Sequence, residues 1–343
     1  MNAGKLPADL LARLLARLPP APGLLLGPGV GRDAAAIDLG DGRVLVAKAD
    51  PVTFATDQIG RYVVHVNAND VACLGARPAW FLATVLLPEG ASPELAEQIF
   101  EQILSACDEL RIVPAGGHTE ITLGLDRPII AGAMLGETTV EGLVRPEAAR
   151  VGDHLLLTKG IAIEGTALLA REAPAALREH GVPSDVIESA ARLLERPGIS
   201  VVREAMAARR AAGDAVHALH DPTEGGLATA LRELGQAAGL AARVRRRDVA
   251  VLPETAAVCE ALALDALGLL ASGALLAAVA PDACDRVLDA TRVDGTEAAC
   301  IGELASGEAD AIIGDRGEEP LPRFERDELA RFLEGLAEGP ARR

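Results

Sequence analysis

The chain has 343 residues, of which 50% are hydrophobic and only 2% aromatic, and its formal net charge is −17. This length favours about two domains, whose cores must be built from Ala, Leu and Val. The negative charge excludes nucleic acid and anionic membranes as bulk partners, whereas a small anionic nucleotide can still bind if Mg²⁺ lies between it and an acidic site.

An amphipathic helix is predicted at the N-terminus, where leucines recur every four residues from Leu6 to Leu18. Charged residues interrupt it, so it does not have the pattern of a secretory signal. The sequence has no run of about 18 uninterrupted apolar residues, and no membrane span is predicted. Five cysteines occur without a C-x-x-C spacing, which predicts reduced core thiols in a cytoplasmic protein.

The sequence of the first half of the chain predicts alternating strands and helices. A Gly/Pro-rich loop follows the first helix, but it lacks the G-x-G-x-x-G spacing of a dinucleotide-binding loop. Helices are predicted over 60–75 and from Ser92-Pro93 to Leu110, because Ser is a favourable N-cap and Pro is favoured in the first turn. Strands are predicted at RVLVAKADP, PAWFLATVLLP, RIVPAGGHTEIT and PIIAGAMLGET, the last two around a glycine turn.

The second half repeats the alternation after a boundary near residue 145, which predicts domains over 1–145 and 146–343. Strands are predicted at DHLLLTKG, VHALH, ARVRRRDVAVLP and SGALLAAV. Helices are predicted near 164–172, 184–195 and 199–212, after HDPTEGG, after SGALLAAV, and at the C-terminus before a short frayed tail. Strands alternating with helices in both halves favour an α/β or α+β fold.

Polar side chains interrupt the apolar stripe of the helix predicted over 60–75. On a helical wheel Asn67 and Asp70 fall among the valines of that stripe, whereas His65 and Asn69 point to its flank or away from it. A carboxylate that faces a core is costly unless it is paired or binds a metal. The Asp70 carboxylate is therefore expected to have one of three roles: it caps a neighbouring helix, it pairs with an arginine, or it binds a metal.

Three more acidic residues lie at loops or strand ends of the same half. Asp33 follows a glycine loop, Asp50 ends a strand, and Glu120 follows the Gly116-Gly117 pair. Each feature alone is typical of a turn. Together with Asp70, these residues supply the oxygen ligands that Mg²⁺ prefers, and a Gly-Gly turn can offer backbone N–H groups to phosphate.

The second half contains the motif HDPTEGG at 220–226. Thr223 or Glu224 can cap the helix that follows, and Gly225-Gly226 leave its first turn open to an anion. A simple strand-to-helix turn explains the same residues. Lys159 ends a predicted strand, where it either reaches a phosphate or faces solvent.

Six motifs, taken in order, resemble the superfamily of AIR synthase, thiamine-monophosphate kinase, selenophosphate synthetase and the hydrogenase maturation factor HypE. The resemblance covers roughly residues 20–310, and HDPTEGGLATAL is most similar to the HypE branch. The motifs are GRDAAAI, AKADPVTFATDQIGRYVVHVNANDVACLGARP, PAGGHTE, GDHLLLTKG, HDPTEGGLATAL and LASGALLAAV.

The resemblance implies a PurM-like two-domain fold, α/β or α+β. Its N-terminal domain would form a dimeric β-barrel-like interface with a second copy, and a C-terminal α/β domain would cover it. ATP would lie in the cleft with its phosphates bound through Mg²⁺. The implied reaction transfers the γ-phosphate to an amide-type or other small acceptor, on a small molecule or a protein.

The resemblance also implies roles for individual residues. The Mg²⁺ ligands would be Asp33, Asp50, Asp70 and Glu120. The nucleotide contacts would be Asn67, Asn69, Gly116, Gly117, His118, Thr119, Lys159, Gly225 and Gly226. The residues of the acceptor side, which would take part in the transfer, are Asp221, Thr223 and Glu224.

Some residues depart from the HypE pattern. The sequence ends in EGPARR rather than in cysteine, Ala271-Ser272 stand in place of Asn-Glu, and Glu224 stands in place of Arg. His118 replaces an acidic residue, for which Glu120 is the candidate substitute. The departures imply a different acceptor, and they leave open a non-catalytic nucleotide-binding accessory protein. A thiamine-phosphate-type kinase is a further alternative, against which the motif DPTEGG argues.

Overall fold

The computed structural model describes residues 6, 8–19, 21–29, 31–292, 295–307 and 309–337, so the predicted frayed tail lies outside the described residues. The chain divides into two compact units. The N-terminal unit comprises Pro20–Pro28 and Arg32–Val144. The C-terminal unit comprises Arg145–Arg343 together with Met1–Pro19 and Gly29–Gly31.

The first helix, α1 (Ala8–Leu15), belongs to the C-terminal unit. The N-terminal unit holds the next elements in chain order: β1 (Leu24–Leu26), β2 (Ala35–Gly40), β3 (Arg43–Val52), α2 (Ile59–Cys73), β4 (Arg77–Pro88), α3 (Pro93–Leu110), β5 (Val113–Thr122) and β6 (Ile129–Thr139). Its six strands form one sheet in the order β1-β2-β3-β6-β4-β5. All neighbours pair antiparallel except β4 and β5, which are parallel.

Helix α2 lies between this sheet and α3, which explains why it is buried nearly all round. Gly60 allows the close approach of α3, because a Cβ atom there would lie 2.7 Å from the carbonyl oxygen of Ile99. His65 and Asn69, which the helical wheel places outside the apolar stripe, are therefore buried as well. A helix covered on both sides needs no polar face.

Gly116 and Gly117 lie inside β5, so the predicted glycine turn is wrong. Gly117 pairs with Ala83 of β4, and a Cβ atom on Gly117 would lie 1.9 Å from the Ala83 carbonyl oxygen. The two glycines have φ values of +142° and +148°, which other residues rarely adopt. Gly117 permits close strand pairing at the exposed edge of the sheet, whereas a Cβ atom on Gly116 would have nothing within 4 Å.

The C-terminal unit holds the remaining elements: β7 (His154–Thr158), α4 (Ile163–Glu172), α5 (Pro174–Glu179), α6 (Ser184–Arg192), α7 (Val202–Ala212), β8 (Val216–His220), α8 (Gly226–Ala238), β9 (Ala241–Arg245), α9 (Pro253–Leu262), β10 (Leu276–Val279), α10 (Cys284–Thr291), β11 (Ala298–Ala305), β12 (Ala311–Gly314), β13 (Gly317–Pro320) and α11 (Glu328–Ala337). Its sheet has the order β13-β12-β9-β11-β7-β10-β8. Leu, Ala, Val and Ile side chains fill the core between this sheet and α8. Within the described residues, no helix has the length and apolarity needed to cross a membrane.

Helix α8 begins at a crowded glycine. Gly226 has φ +64°, and a Cβ atom there would lie 2.4 Å from the carbonyl oxygen of Leu267. Gly239 ends the same helix with φ +69°, but nothing lies within 4 Å of its Cβ position. The expectation of an open first turn is therefore wrong, because the backbone near Leu267 fills the space over Gly226.

These two glycines provide a matched pair of substitutions. Gly239→Ala should lower the free energy of unfolding by roughly 1–2 kcal/mol, the cost of a left-handed alanine. Gly226→Ala should lower it by roughly 3 kcal/mol or more, because a backbone clash adds to that cost. Urea unfolding followed by circular dichroism measures both. Equal losses would show that the Leu267 segment moves aside without penalty.

Candidate active site

Two of the predicted acidic residues meet at one lysine. The ammonium Nζ of Lys48 lies 2.8 Å from Asp70 Oδ2 and 3.8 Å from Asp50 Oδ2. Lys48 and Asp50 lie two residues apart on β3, and Asp70 lies on α2, which packs on that strand. We call Lys48, Asp50 and Asp70, together with Asp33, the Lys48 cluster.

Asn67 joins α2 to β3 beside this cluster. Its Nδ2 donates to the carbonyl oxygens of Asp50, at 3.1 Å, and Val63, at 2.8 Å. Gly132 of β6 leaves room for this amide, because a Cβ atom there would lie 2.5 Å from Asn67 Nδ2. Asn67 therefore fixes the backbone at Asp50. Its Oδ1 is buried and has no hydrogen-bond partner in the part of the chain that the structure describes.

The cluster carries more negative than positive charge. Burial raises the pKa of Asp70 to about 7; the neighbouring Lys48 opposes this, and repulsion from Asp33 and Asp50 adds to it. Burial alone would lower the pKa of Lys48, but the Asp70 and Asp50 carboxylates outweigh it and hold that pKa above its usual range. Lys48 is thus a cation that three carboxylates surround.

This arrangement explains in part why Asp70 lies on a buried stripe. The sequence predicted a cap, an arginine partner or a metal; the structure pairs Asp70 with a lysine rather than an arginine, and metal binding stays a prediction. Asp33 is half-buried two residues before β2 and acts on Lys48 and Asp70 through charge. Among the described residues, the ligand oxygens of these carboxylates do not all come within 4.8 Å of one another.

Glu120 is not brought to the Lys48 cluster within this unit. Asp50 pairs with Gly132, Gly132 with Ala83, and Ala83 with Gly117. Three strand spacings therefore separate β3 from β5, about 14 Å. On β5, Glu120 instead accepts hydrogen bonds from Thr122 and His118, which lower the pKa of its carboxyl.

The predicted nucleotide residues differ in their surroundings. Asn69 is fully buried on α2. Gly116, Gly117, His118 and Thr119 are exposed along β5. Because their strand is the edge of the sheet, these four residues do not form one site with Asn67 and Asn69 within the unit.

In the C-terminal unit, the HDPTEGG loop is held by a carboxylate from far along the chain. Asp327 Oδ2 accepts the N–H of Gly225 at 2.6 Å, and its Oδ1 accepts those of Leu329 at 2.7 Å and Leu270 at 3.3 Å. Burial raises the pKa of Asp327 to about 6, although these three N–H groups oppose the shift. Asp221 is also buried, and its Oδ1 accepts the N–H of Gly273 at 3.4 Å.

The predicted cap of α8 is wrong. Gly225 occupies the N-cap position and makes no side-chain cap, so neither Thr223 nor Glu224 fills it. Thr223 instead accepts the N–H of Gly226 through its backbone carbonyl at 3.0 Å.

The solvent-facing alternative for Lys159 is wrong. The side chain is buried, and its ammonium lies 2.8 Å from Glu204 Oε1. It also donates to the carbonyl oxygens of Ser200, at 2.5 Å, and Gly198, at 3.3 Å. A phosphate contact of Lys159 stays a prediction.

Sequence reasoning missed two residues of these sites. Lys48 has a detectable signal, since it lies two residues before Asp50 and residues at that spacing share a strand face. Asp327 has no such signal for its contacts with Gly225 and Leu270, because these residues lie 102 and 57 positions away in the sequence.

The charge excess of the Lys48 cluster predicts a pH dependence. The pKa of Asp70 rises from an ordinary 3.8 to about 7 in the folded chain. The folded state therefore holds an extra proton between these values, and the stability that this gives is lost as the pH rises through about 7. From about pH 5 to pH 8, wild type should lose unfolding free energy relative to Asp70→Asn.

Urea unfolding at several pH values measures this difference. Asp41→Asn, at an exposed turn between β2 and β3, removes one charge outside the cluster and is the matched control. Parallel curves for wild type and Asp70→Asn would contradict the expected shift.

Comparison with known proteins places the chain in a family. The model of the AIR synthase related protein N-terminal domain matches residues 31–138, and that of the C-terminal domain matches residues 150–315. Carbamoyl dehydratase HypE of Bradyrhizobium diazoefficiens is 30% identical over 287 residues, which are 80% of this chain and 78% of the relative. Selenide, water dikinase of Paraburkholderia xenovorans is 32% identical over 341 residues, which are 89% of this chain and 91% of the relative.

A solved structure has the same fold. The crystal structure of hydrogenase maturation protein HypE in complex with ATP superposes with a TM-score of 0.68 at 24% identity, covering 96% of this chain and 98% of that chain. The predicted mixed α/β, PurM-like two-domain fold and the resemblance to HypE are thereby confirmed. The dimeric interface stays a prediction. By its motifs, its fold and these matches, the chain belongs to the AIR synthase related protein family.

Proposed function

We propose that this protein is an ATP- and Mg²⁺-dependent enzyme that transfers the γ-phosphate of ATP to an amide-type or other small acceptor group. The Lys48 cluster carries the proposal, because Asp70 is a buried carboxylate whose neighbours include two further carboxylates. The relatives support it: one is a carbamoyl dehydratase, another is a selenide, water dikinase, and a HypE structure contains ATP.

The donor set of the cluster fits Mg²⁺. Asp33, Asp50 and Asp70 contribute three formal negative charges against the one positive charge of Lys48, and the excess of two suits a divalent cation with oxygen ligands. These three aspartates would hold the ion, which when bound neutralises phosphate charge during phosphoryl transfer. Glu120, a candidate fourth ligand, is not part of this set within one chain.

Lys48 and Asn67 would preorganise the site. Lys48 orients the Asp70 carboxylate through the 2.8 Å contact and limits the repulsion among the carboxylates. Asn67 fixes the backbone of Asp50 through a 3.1 Å hydrogen bond. Since phosphoryl transfer depends on positioning and charge stabilisation, such fixed groups favour it.

The homodimer implied by the family resemblance is also part of the proposal. Strand β5 is the edge of the six-stranded sheet, and it is exposed along nearly its whole length. Exposed edge strands readily pair with other strands. A second copy of this chain is the proposed partner, and His118, Thr119 and Glu120 would lie at that interface.

Thermal unfolding with and without Mg·ATP tests nucleotide binding. The wild-type Tm should rise, because a ligand at 100 times its Kd stabilises the folded state by about 2.7 kcal/mol. Asp70→Asn should stay folded and lose most of the rise, whereas the exposed control Asp41→Asn should keep it. A full rise in Asp70→Asn would make Asp70 structural only.

Turnover with a panel of acceptors tests the chemistry. Selenide, a carbamoylated cysteine peptide and thiamine monophosphate are each incubated with Mg·ATP, and the nucleotide and phosphate products are measured. Selenide is the second candidate acceptor, after an amide-type group. The selenide, water dikinase relative aligns over 89% of this chain, whereas the HypE relative aligns over 80%. Nucleotide binding without turnover of any acceptor would favour the non-catalytic accessory protein.

A further inference from the structure

The C-terminal unit contains a second group of potential metal ligands, unconnected with the Lys48 cluster. Ligand atoms of His154, Cys284 and Cys300 all lie within 4.8 Å of one another. Over the described ranges, no other set of three or more His, Cys, Asp or Glu side chains meets this distance. From the sequence both cysteines are predicted to be core thiols, and His154 has no predicted role.

Three separate elements bring these residues together. His154 begins β7, and Cys300 lies on the neighbouring β11, opposite Leu156. The pairing register shifts between Cys300 and Gly302, a local irregularity of the β11 strand. Cys284 begins α10, which packs against both strands.

The hydrogen bonding of the His154 imidazole is incomplete. The Nδ1 atom of His154 is buried and lacks a hydrogen-bond partner among the residues that the structure describes. A buried polar atom without a partner costs free energy, so such an atom needs an explanation, and an ion is one. His154 and Cys300 are only partly buried, whereas Cys284 is buried.

The charges around the group suit a thiophilic divalent cation. Two thiolates would balance the two charges of Zn²⁺, and the imidazole would add a neutral ligand. Arg245 Nη2 lies 3.8 Å from Cys300 Sγ, but its guanidinium is paired with Asp248. Burial raises the pKa of Cys284 to about 11, so this thiol stays protonated at neutral pH until a metal displaces its proton.

Simple core packing explains the group less well. Packing alone would not require an imidazole beside two thiols, and an apolar side chain would avoid the unpaired nitrogen. A disulfide between Cys284 and Cys300 would leave His154 unexplained, and both cysteines are free in this structure. Mg²⁺ is a poor fit, because it prefers oxygen ligands.

We propose that His154, Cys284 and Cys300 form a Zn²⁺ site that ties α10 to β7 and β11. The protein supplies three ligands, as in zinc sites that keep a fourth position open for water or a small ligand. No fourth His, Cys, Asp or Glu of the described residues joins the group. The site is independent of ATP, so its failure would leave the proposed phosphoryl transfer untouched.

Cobalt titration of the reduced, chelator-treated full-length protein tests the site. Wild type should bind one Co²⁺ per chain with an intense thiolate-to-cobalt charge-transfer band, and Zn²⁺ should displace it. Cys284→Ser, Cys300→Ser and His154→Gln should each weaken Zn²⁺ binding at least about tenfold. Cys259→Ser, a buried thiol outside the group, is the matched control and should bind like wild type.

Thermal unfolding gives a second readout that does not depend on activity. Zn²⁺ should raise the Tm of wild type and of Cys259→Ser, and it should raise the Tm of the three ligand variants much less. Absence of the charge-transfer band, or an equal band in the ligand variants, would overturn the proposal. A Cys284–Cys300 disulfide in the purified protein, with no Co²⁺ binding after its reduction, would overturn it too.

Discussion

The contact between Lys48 and Asp70 is the interaction on which the N-terminal unit depends. It allows a carboxylate to lie on a helix that the sheet and α3 bury from both sides. A carboxylate without a partner at this position would become protonated, or the helix would move away from the sheet so that the charge reaches water. Asp50 and Asp33 then add negative charge that one ammonium does not balance. The same arrangement thus pairs the buried carboxylate and leaves an excess of negative charge beside it.

Much of the fold could be predicted from the sequence because its signals are local. The Ser92-Pro93 start places α3 correctly, and the side chain of Ser92 accepts the N–H of Leu95. Asp50 and Asp70 could be singled out because each breaks a local pattern. The contact of Lys48 with Asp70 was missed because the packing of α2 on β3 joins residues that are distant in sequence, whereas the two-residue spacing of Lys48 and Asp50 is a local signal. The metal-binding role of the cluster stays a prediction.

The main errors of the sequence-based prediction concern glycines. A glycine in a sequence does not distinguish a turn from a position where another backbone segment comes close. Gly116-Gly117 predicted a turn, yet they lie in β5, where the Ala83 carbonyl oxygen leaves no room for a side chain on Gly117. Gly226 predicted an open helix end, yet the Leu267 carbonyl fills that space. In both cases a second segment, distant in sequence, determines why glycine is needed.

Asp327 shows that the contacts holding the HDPTEGG loop extend past the part of the chain that the family model matches. The matched region ends at residue 315, but the carboxylate that fastens Gly225 and Leu270 lies twelve residues later. Homologues that diverge in this last stretch can therefore alter the shape of the HDPTEGG loop without changing any residue within it.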